Sequence, residues 1–184
     1  VVKRILAVFI LGLLALGVQG GLAMVMPRSL CPDLGLLVVL AIGLHWLEVT
    51  PGMFVASALG FAADLLSSAI FGAHALLRVL AFSLTSLARS QMDLRGGAIF
   101  ALFAGAITIL NALGLMLLLR FFTSGEAGAA AFSVWGVFSG VLPHAAINAC
   151  LAPAVSAVVV WVCDRVEGEA SRPGIEFEAR RPTT

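Results

Sequence analysis

Asp64, His74 and Arg78 stand within "GFAADLLSSAIFGAHALLRVL", residues 60–80, one of the most apolar stretches of the chain. A carboxylate, an imidazole and a guanidinium so close in sequence could relay a proton, hold an anion or tie two helices together. An isolated charge in hydrocarbon costs roughly 2.5–3.5 kcal/mol on insertion scales, so such groups need partners. If the run folds back near Phe71, Asp64 and Arg78 lie equally far from the turn. That symmetry predicts similar depth and an Asp64–Arg78 ion pair. His74 precedes Arg78 by one helical turn on the same face and is expected to bond Asp64 or the turn backbone. A relay would need acids or histidines at matching depth on other spans. His45 and His144 do not align with one, and three single histidines make no metal constellation. The nearby serines lack a G-x-S-x-G elbow, and no phosphate-binding G-x-x-x-x-G-K-[ST] loop is present. The three residues therefore read as a polar cluster that pins helices, and no catalytic, metal or cofactor site is expected.

The elements that position this cluster must be membrane helices. Of 184 residues, 61% are hydrophobic and 11% charged, against about 25% charged in soluble domains. The mean hydropathy is +1.09. A soluble domain of this size could not hide that much apolar surface, so lipid is the expected solvent for most of it. The net charge of +1 and the lack of a basic, aromatic-interleaved patch give no footing for nucleic acid. Cys31, Cys150 and Cys163 are far apart and read as ordinary small apolar residues rather than a disulfide or zinc framework.

Six apolar segments are expected, at about 5–26, 34–47, 52–67, 72–89, 97–120 and within 133–163. The fold class is thus all-α, a polytopic bundle of about six transmembrane helices occupying residues 1–163. Turn signals separate the segments: "PRSLCPD", "VTPG", "DLRGG" and "TSGEAG". The last segment is too long for one simple span and contains Pro143 and Pro153, which predicts a broken or kinked helix. The first segment is longer than the apolar core of a signal peptide, so it is expected to stay as a span. Residues 164–184, of mixed charge with Pro, Gly and Ser, are expected to form a disordered cytoplasmic tail.

Two local patterns bear on packing. Pro32 suits a helix's first turn and Asp33 its positive N-terminal end, so this pair is expected to cap the second helix. Gly17 with Gly21 and Gly136 with Gly140 form GxxxG spacings, and Ala56 with Gly60 a looser small-residue pair. Such faces let helices approach closely, either inside the bundle or against a partner's helix.

Residues 32–80 resemble the MreD family of rod-shape-determining membrane proteins. The resemblance rests on Pro32-Asp33 before an apolar run, a short loop around Glu48–Gly52, Gly60 with Asp64-Leu65, and Gly72 with His74 and Leu76. Asn148 and Pro153, in "AAINACLAP", are similar to that family's later Asn-containing helix. The chain departs from the pattern at "HWLEVTPG", where basic residues are usual, and at Arg78. The resemblance implies a non-enzymatic scaffold in the bacterial cell-elongation machinery that regulates peptidoglycan synthesis. Its implied partner is the single-span protein MreC, with RodA, its transpeptidase and MreB filaments reached through the complex. It also implies a fold similar to the substrate-binding subunits of energy-coupling-factor transporters. A competing reading is a vitamin-binding subunit of such a transporter, with Asp64, His74 and Asn148 lining an external pocket.

Charge sets the expected orientation in the bacterial cytoplasmic membrane. With both termini cytoplasmic, Lys3, Arg4, Arg89, Arg95, Arg165, Arg172, Arg180 and Arg181 lie inside, and only Arg28 and Arg120 outside. This asymmetry satisfies the positive-inside rule. Reporter fusions after Arg95 and after Arg165 should therefore read cytoplasmic, and a fusion near Gly125 should read external; an external signal at the C-terminus removes the six-span topology.

Overall fold

The computed structural model describes residues 2–27, 29–46, 48–67, 71–91, 96–122 and 137–170. Among the described residues there are six α-helices: α1 (Val2–Val25), α2 (Leu34–His45), α3 (Val49–Leu66), α4 (Ala73–Gln91), α5 (Gly97–Phe122) and α6 (Leu142–Ala170). α1, α3, α5 and the sixth segment, Ser139–Val166, are long and apolar enough to cross a membrane.

α2 is the exception in length and the centre of the fold. Its 12 residues extend about 18 Å at about 1.5 Å per residue. Every residue from Gly35 to Leu44 is buried, and α2 packs against each of the other five helices. A helix that is apolar on all sides is one that others surround. Val38, Val39, Ala41 and Ile42 join Val8 and Leu16 of α1, Val55, Ala56 and Leu59 of α3, and Phe82 of α4 in one core cluster. Leu36, Leu37, Leu40 and Leu44 face Phe100, Ala104 and Ile107 of α5 in a second. Burial of Val8 and Leu16 makes α1 an integral part of the bundle.

α4 is amphipathic with its polar side inward. Arg78, Thr85 and Phe82 are buried, whereas Leu76, Leu80, Leu84 and Leu87 are exposed at helical spacing. Such a helix presents leucine to its surroundings and charge to the bundle, as a hydrocarbon solvent requires.

The helices differ from expectation in three places. The loop foreseen at Glu48–Gly52 is largely helix, because α3 begins at Val49 with Pro51 in its first turn, where its missing N–H has no intrahelical role. The sixth segment is not broken at its prolines. A π-turn at Val137–Val141 leads into α6, Pro143 lies in the first turn, and the helix continues through Pro153. Within a bundle, neighbouring groups can accommodate the backbone that a proline disturbs. Finally, α6 runs beyond Cys163 to Ala170, so the expected tail boundary comes too early. The tail proper, residues 171–184, lies outside the described residues, as does Gly136.

The α3–α4 pairing explains one of the small-residue patterns. A Cβ placed on Gly60 would sit 2.3 Å from the Ala75 Cα, so only glycine lets the start of α4 lie against α3. Ala56, one turn earlier, is also fully buried. A Cβ on Gly17 meets nothing within 4 Å. Gly60→Ala should therefore destabilise the protein by about 1–3 kcal/mol through overpacking, while Gly17→Ala leaves it unchanged, as measured by thermal unfolding in detergent. Equal stability in both variants would mean the contact at Ala75 yields.

Candidate functional site: a polar layer and a cavity

The N-terminus of α2 lies inside the bundle, and its free N–H groups are met by its own N-cap and by side chains from two other helices. Asp33 is the N-cap: its Oδ1 accepts the Leu36 N–H at 2.9 Å. Gln19 of α1 accepts the Gly35 N–H through Oε1 at 3.3 Å. Asn148 of α6 accepts the Asp33 N–H through Oδ1 at 3.0 Å. The amide of Asn148 in turn donates to Thr108 Oγ1 of α5 at 3.1 Å, and His144 Nε2 stands 3.5 Å from it. Pro32 precedes the cap instead of occupying the first turn, so the expected capping pair works through Asp33 alone.

Arg78 completes this layer from α4. Its Nη2 donates to Asp33 Oδ1 at 3.2 Å and its Nη1 to the Leu59 carbonyl of α3 at 2.9 Å. The residue is only 2% exposed. Gly35 makes room for it, since a Cβ there would lie 2.6 Å from the guanidinium.

The expected Asp64–Arg78 pair does not form. Asp64 sits near the C-terminus of α3 and reaches the first N–H groups of α4 instead. It accepts from Gly72 N at 3.0 Å, His74 N at 2.9 Å and Ala75 N at 3.2 Å. His74 Nδ1 lies 2.8 Å from the same carboxylate, as the expected Asp64–His74 contact has it. A helix N-terminus with converging N–H groups is itself an anion site, so Asp64 needs no arginine. Gly72, at the turn, takes φ +91°, a left-handed conformation that glycine adopts without strain. Arg78 begins one turn deeper, where the N-cap of α2 is the nearest carboxylate.

The other end of α2 is held by the same helix. Arg89 Nη1 donates to the Trp46 carbonyl and, at 3.5 Å, to that of Leu44. Between Arg78 and Arg89 α4 rises roughly 16 Å, close to the length of α2. Arg4 lies over the Trp46 ring at 5.2 Å. His45 Nε2 and Ser156 Oγ, 2.9 Å apart, join α2 to α6.

Beside the polar layer a cavity of about 500 Å³ opens between α1, α3, α4 and the residues Cys31 and Asp33 ahead of α2. Gln19, Asp33, Ser67, His74 and Arg78 line its polar side, and Leu16, Ala23, Ala63 and Leu66 its apolar side. Of the residues expected in a pocket, His74 is present. Asp64 and Asn148 do not line it, because both are spent on backbone N–H groups at α4 and α2. Cys31 lies in the wall and donates to the Gln19 carbonyl at 3.7 Å. Burial, with the Asp33 charge adding to it, pushes the Cys31 thiol above its usual pKa, so it remains a protonated donor. No group of three or more His, Cys, Asp or Glu able to hold a metal occurs among the described residues.

Gln19, Thr108 and Arg89 have structural tasks that the sequence reading does not assign. A lone amide in an apolar run is the available signal for Gln19, since an unbonded amide there is costly.

Compared with protein-family descriptions, characterised proteins and solved structures, the chain matches none.

The partners found here make a quantitative distinction. Asp33→Asn and Arg78→Gln should each destabilise strongly, toward about 3–5 kcal/mol for a buried pair that loses one member, and the double variant should cost clearly less than their sum. Asp64→Asn combined with Arg78→Gln should be additive, because the two side chains share no partner. Unfolding of the wild type and the five variants in one detergent measures both cycles; strong coupling in the second would restore the Asp64–Arg78 pair.

Proposed function

We propose that this protein is a non-enzymatic membrane scaffold of the bacterial cell-elongation machinery, placed in the cytoplasmic membrane with both termini inside. In this reading it binds an MreC-like single-span protein through a helix face, and RodA, its transpeptidase and MreB are reached through that complex. The observation that carries the reading is the free face of α1. Gly17 and Gly21 are exposed, and a Cβ on either meets nothing within 4 Å. Gly12, on the opposite side of α1, packs tightly against Leu59. α1 therefore has one face committed to the bundle and a small-residue face that no part of the described chain covers. Lipid gives no hydrophobic drive for helix association, so close packing at small residues is the available source of affinity. A Cβ on Gly140 also meets open space. The fate of the polar groups supports the same reading. The Gly-x-x-x-Asp-Leu and Gly-x-His-x-Leu stretches join α3 to α4 through backbone hydrogen bonds, which is structural work.

A second reading, a vitamin-binding subunit of an energy-coupling-factor type transporter, is favoured by the cavity beside Arg78. One purification separates the two. Replacing Gly17 and Gly21 by leucine, and separately Gly136 and Gly140, should cut recovery of a coexpressed MreC-like partner at least tenfold in one variant, with the thermal unfolding of the protein alone unchanged. Full recovery in both variants puts the interface elsewhere, and a vitamin retained by the purified wild type selects the transporter reading.

A further inference from the structure

We propose that the cavity between α1, α3 and α4 binds the head group of a zwitterionic phospholipid of the phosphatidylethanolamine type. The phosphate would lie on Arg78 and the ammonium on Asp33, with the acyl chains leaving between α1 and α3.

The charge pattern selects the head. Arg78 spends two of its five N–H groups, on Leu59 and Asp33. Three remain without an acceptor among the described residues. Asp33 receives both of its side-chain hydrogen bonds on Oδ1, which leaves Oδ2 open. The cavity wall thus presents a cation with unused donors beside an anion with an unused acceptor, 3.2 Å apart at their point of contact. A simple anion would satisfy Arg78 but stand against the Asp33 carboxylate. A simple cation would do the reverse. A group carrying both charges a few ångströms apart matches the wall. Further polar capacity points to a bound head: among the described residues the buried Ser67 Oγ has no partner, and the His74 ring bonds through Nδ1 alone.

The mouth selects a lipid over a soluble zwitterion. Leu66, 72% exposed, frames the opening with the exposed Gly20 and Ala23. Beyond it lie the exposed Val18 and Met24 of α1. Arg78 is buried, Asp33 is partly buried and the exposed rim residues are apolar, so a ligand that fills the cavity continues into apolar surroundings. The volume of about 500 Å³ is within the range of ligand pockets, about 300–1,000 Å³.

Gly20 provides a clean test. It lines the cavity, yet a Cβ there meets nothing within 4 Å. Gly20→Phe adds bulk at the cavity wall and leaves the Asp33 and Arg78 side chains unaltered in type. Delipidated protein in detergent is titrated with dioleoyl-phosphatidylethanolamine, dioleoyl-phosphatidylglycerol, O-phosphoethanolamine or inorganic phosphate, and thermal unfolding is followed. The phosphatidylethanolamine should raise the unfolding temperature of wild type by on the order of 5–10 °C at a hundredfold excess over Kd. It should leave Gly20→Phe unmoved, and native mass spectrometry should find one such lipid on wild type and none on the variant. Ala23→Phe serves the same purpose if Gly20→Phe does not fold. An equal shift with phosphatidylglycerol, an equal shift in the filled variants, or no shift at all overturns the proposal. So does an equal shift with O-phosphoethanolamine or phosphate, which would make the ligand soluble. None of these outcomes depends on the MreC-like partner.

Discussion

A short helix wholly enclosed by longer ones must have its ends satisfied by protein. α2 reaches about 18 Å, and a hydrocarbon layer is about 30 Å thick. Both of its termini therefore cannot lie in water, and each carries up to four backbone groups with no intrahelical partner. Most of the polar residues placed inside this bundle serve that requirement. Asp33, Gln19 and Asn148 take N–H groups at one end, and Arg89 takes carbonyls at the other. The apolar sides of α2 supply the core; its ends explain the polar layer.

α4 follows from the same requirement. It is not among the helices apolar enough to be recognised as a span, because its sequence carries polar residues, among them Arg78 and Thr85, which are buried in the bundle. Two arginines spaced by the length of α2 clamp both of its ends. The N-terminus of α4 is held in turn by Asp64 across the hairpin. Gly60 allows the approach, Gly72 makes the turn, and Asp64 receives the N–H groups that the turn delivers. The Gly-x-x-x-Asp spacing is thus a helix-to-helix cap.

The six apolar segments, the Asp33 cap and the fold-back near Phe71 were legible because each depends on local rules: apolar runs between turn signals, N-terminal preference and the position of a turn. The partner of Arg78 was not. Equal distance from a turn gives equal depth, but it ignores that Asp64 lies within reach of three N–H groups of α4 before any arginine. The true acceptor, Asp33, is separated from Arg78 by the whole of α3, and only three-dimensional packing brings them together. Gln19 and Thr108 were overlooked for a related reason. Their value lies in what surrounds them after folding, and a single polar residue in an apolar run does not state its partner. The break foreseen at the prolines is absent at Pro153, since α6 passes through it where an isolated helix in water would be weakened.

The order of these residues along the chain matters for how the protein is made. Synthesis runs from the N-terminus, so Gln19 and Asp33 have emerged before Arg78 does. The most costly side chain to place in lipid thus finds its carboxylate already present, and Asp64 likewise precedes the N–H groups it receives. Asn148 arrives last, on the final helix, and its bond to the Asp33 backbone closes the layer. The hydrogen-bond donors and acceptors of this bundle are scheduled as well as placed: in both the Asp33–Arg78 and the Asp64–α4 contacts the carboxylate is translated before the donors that meet it.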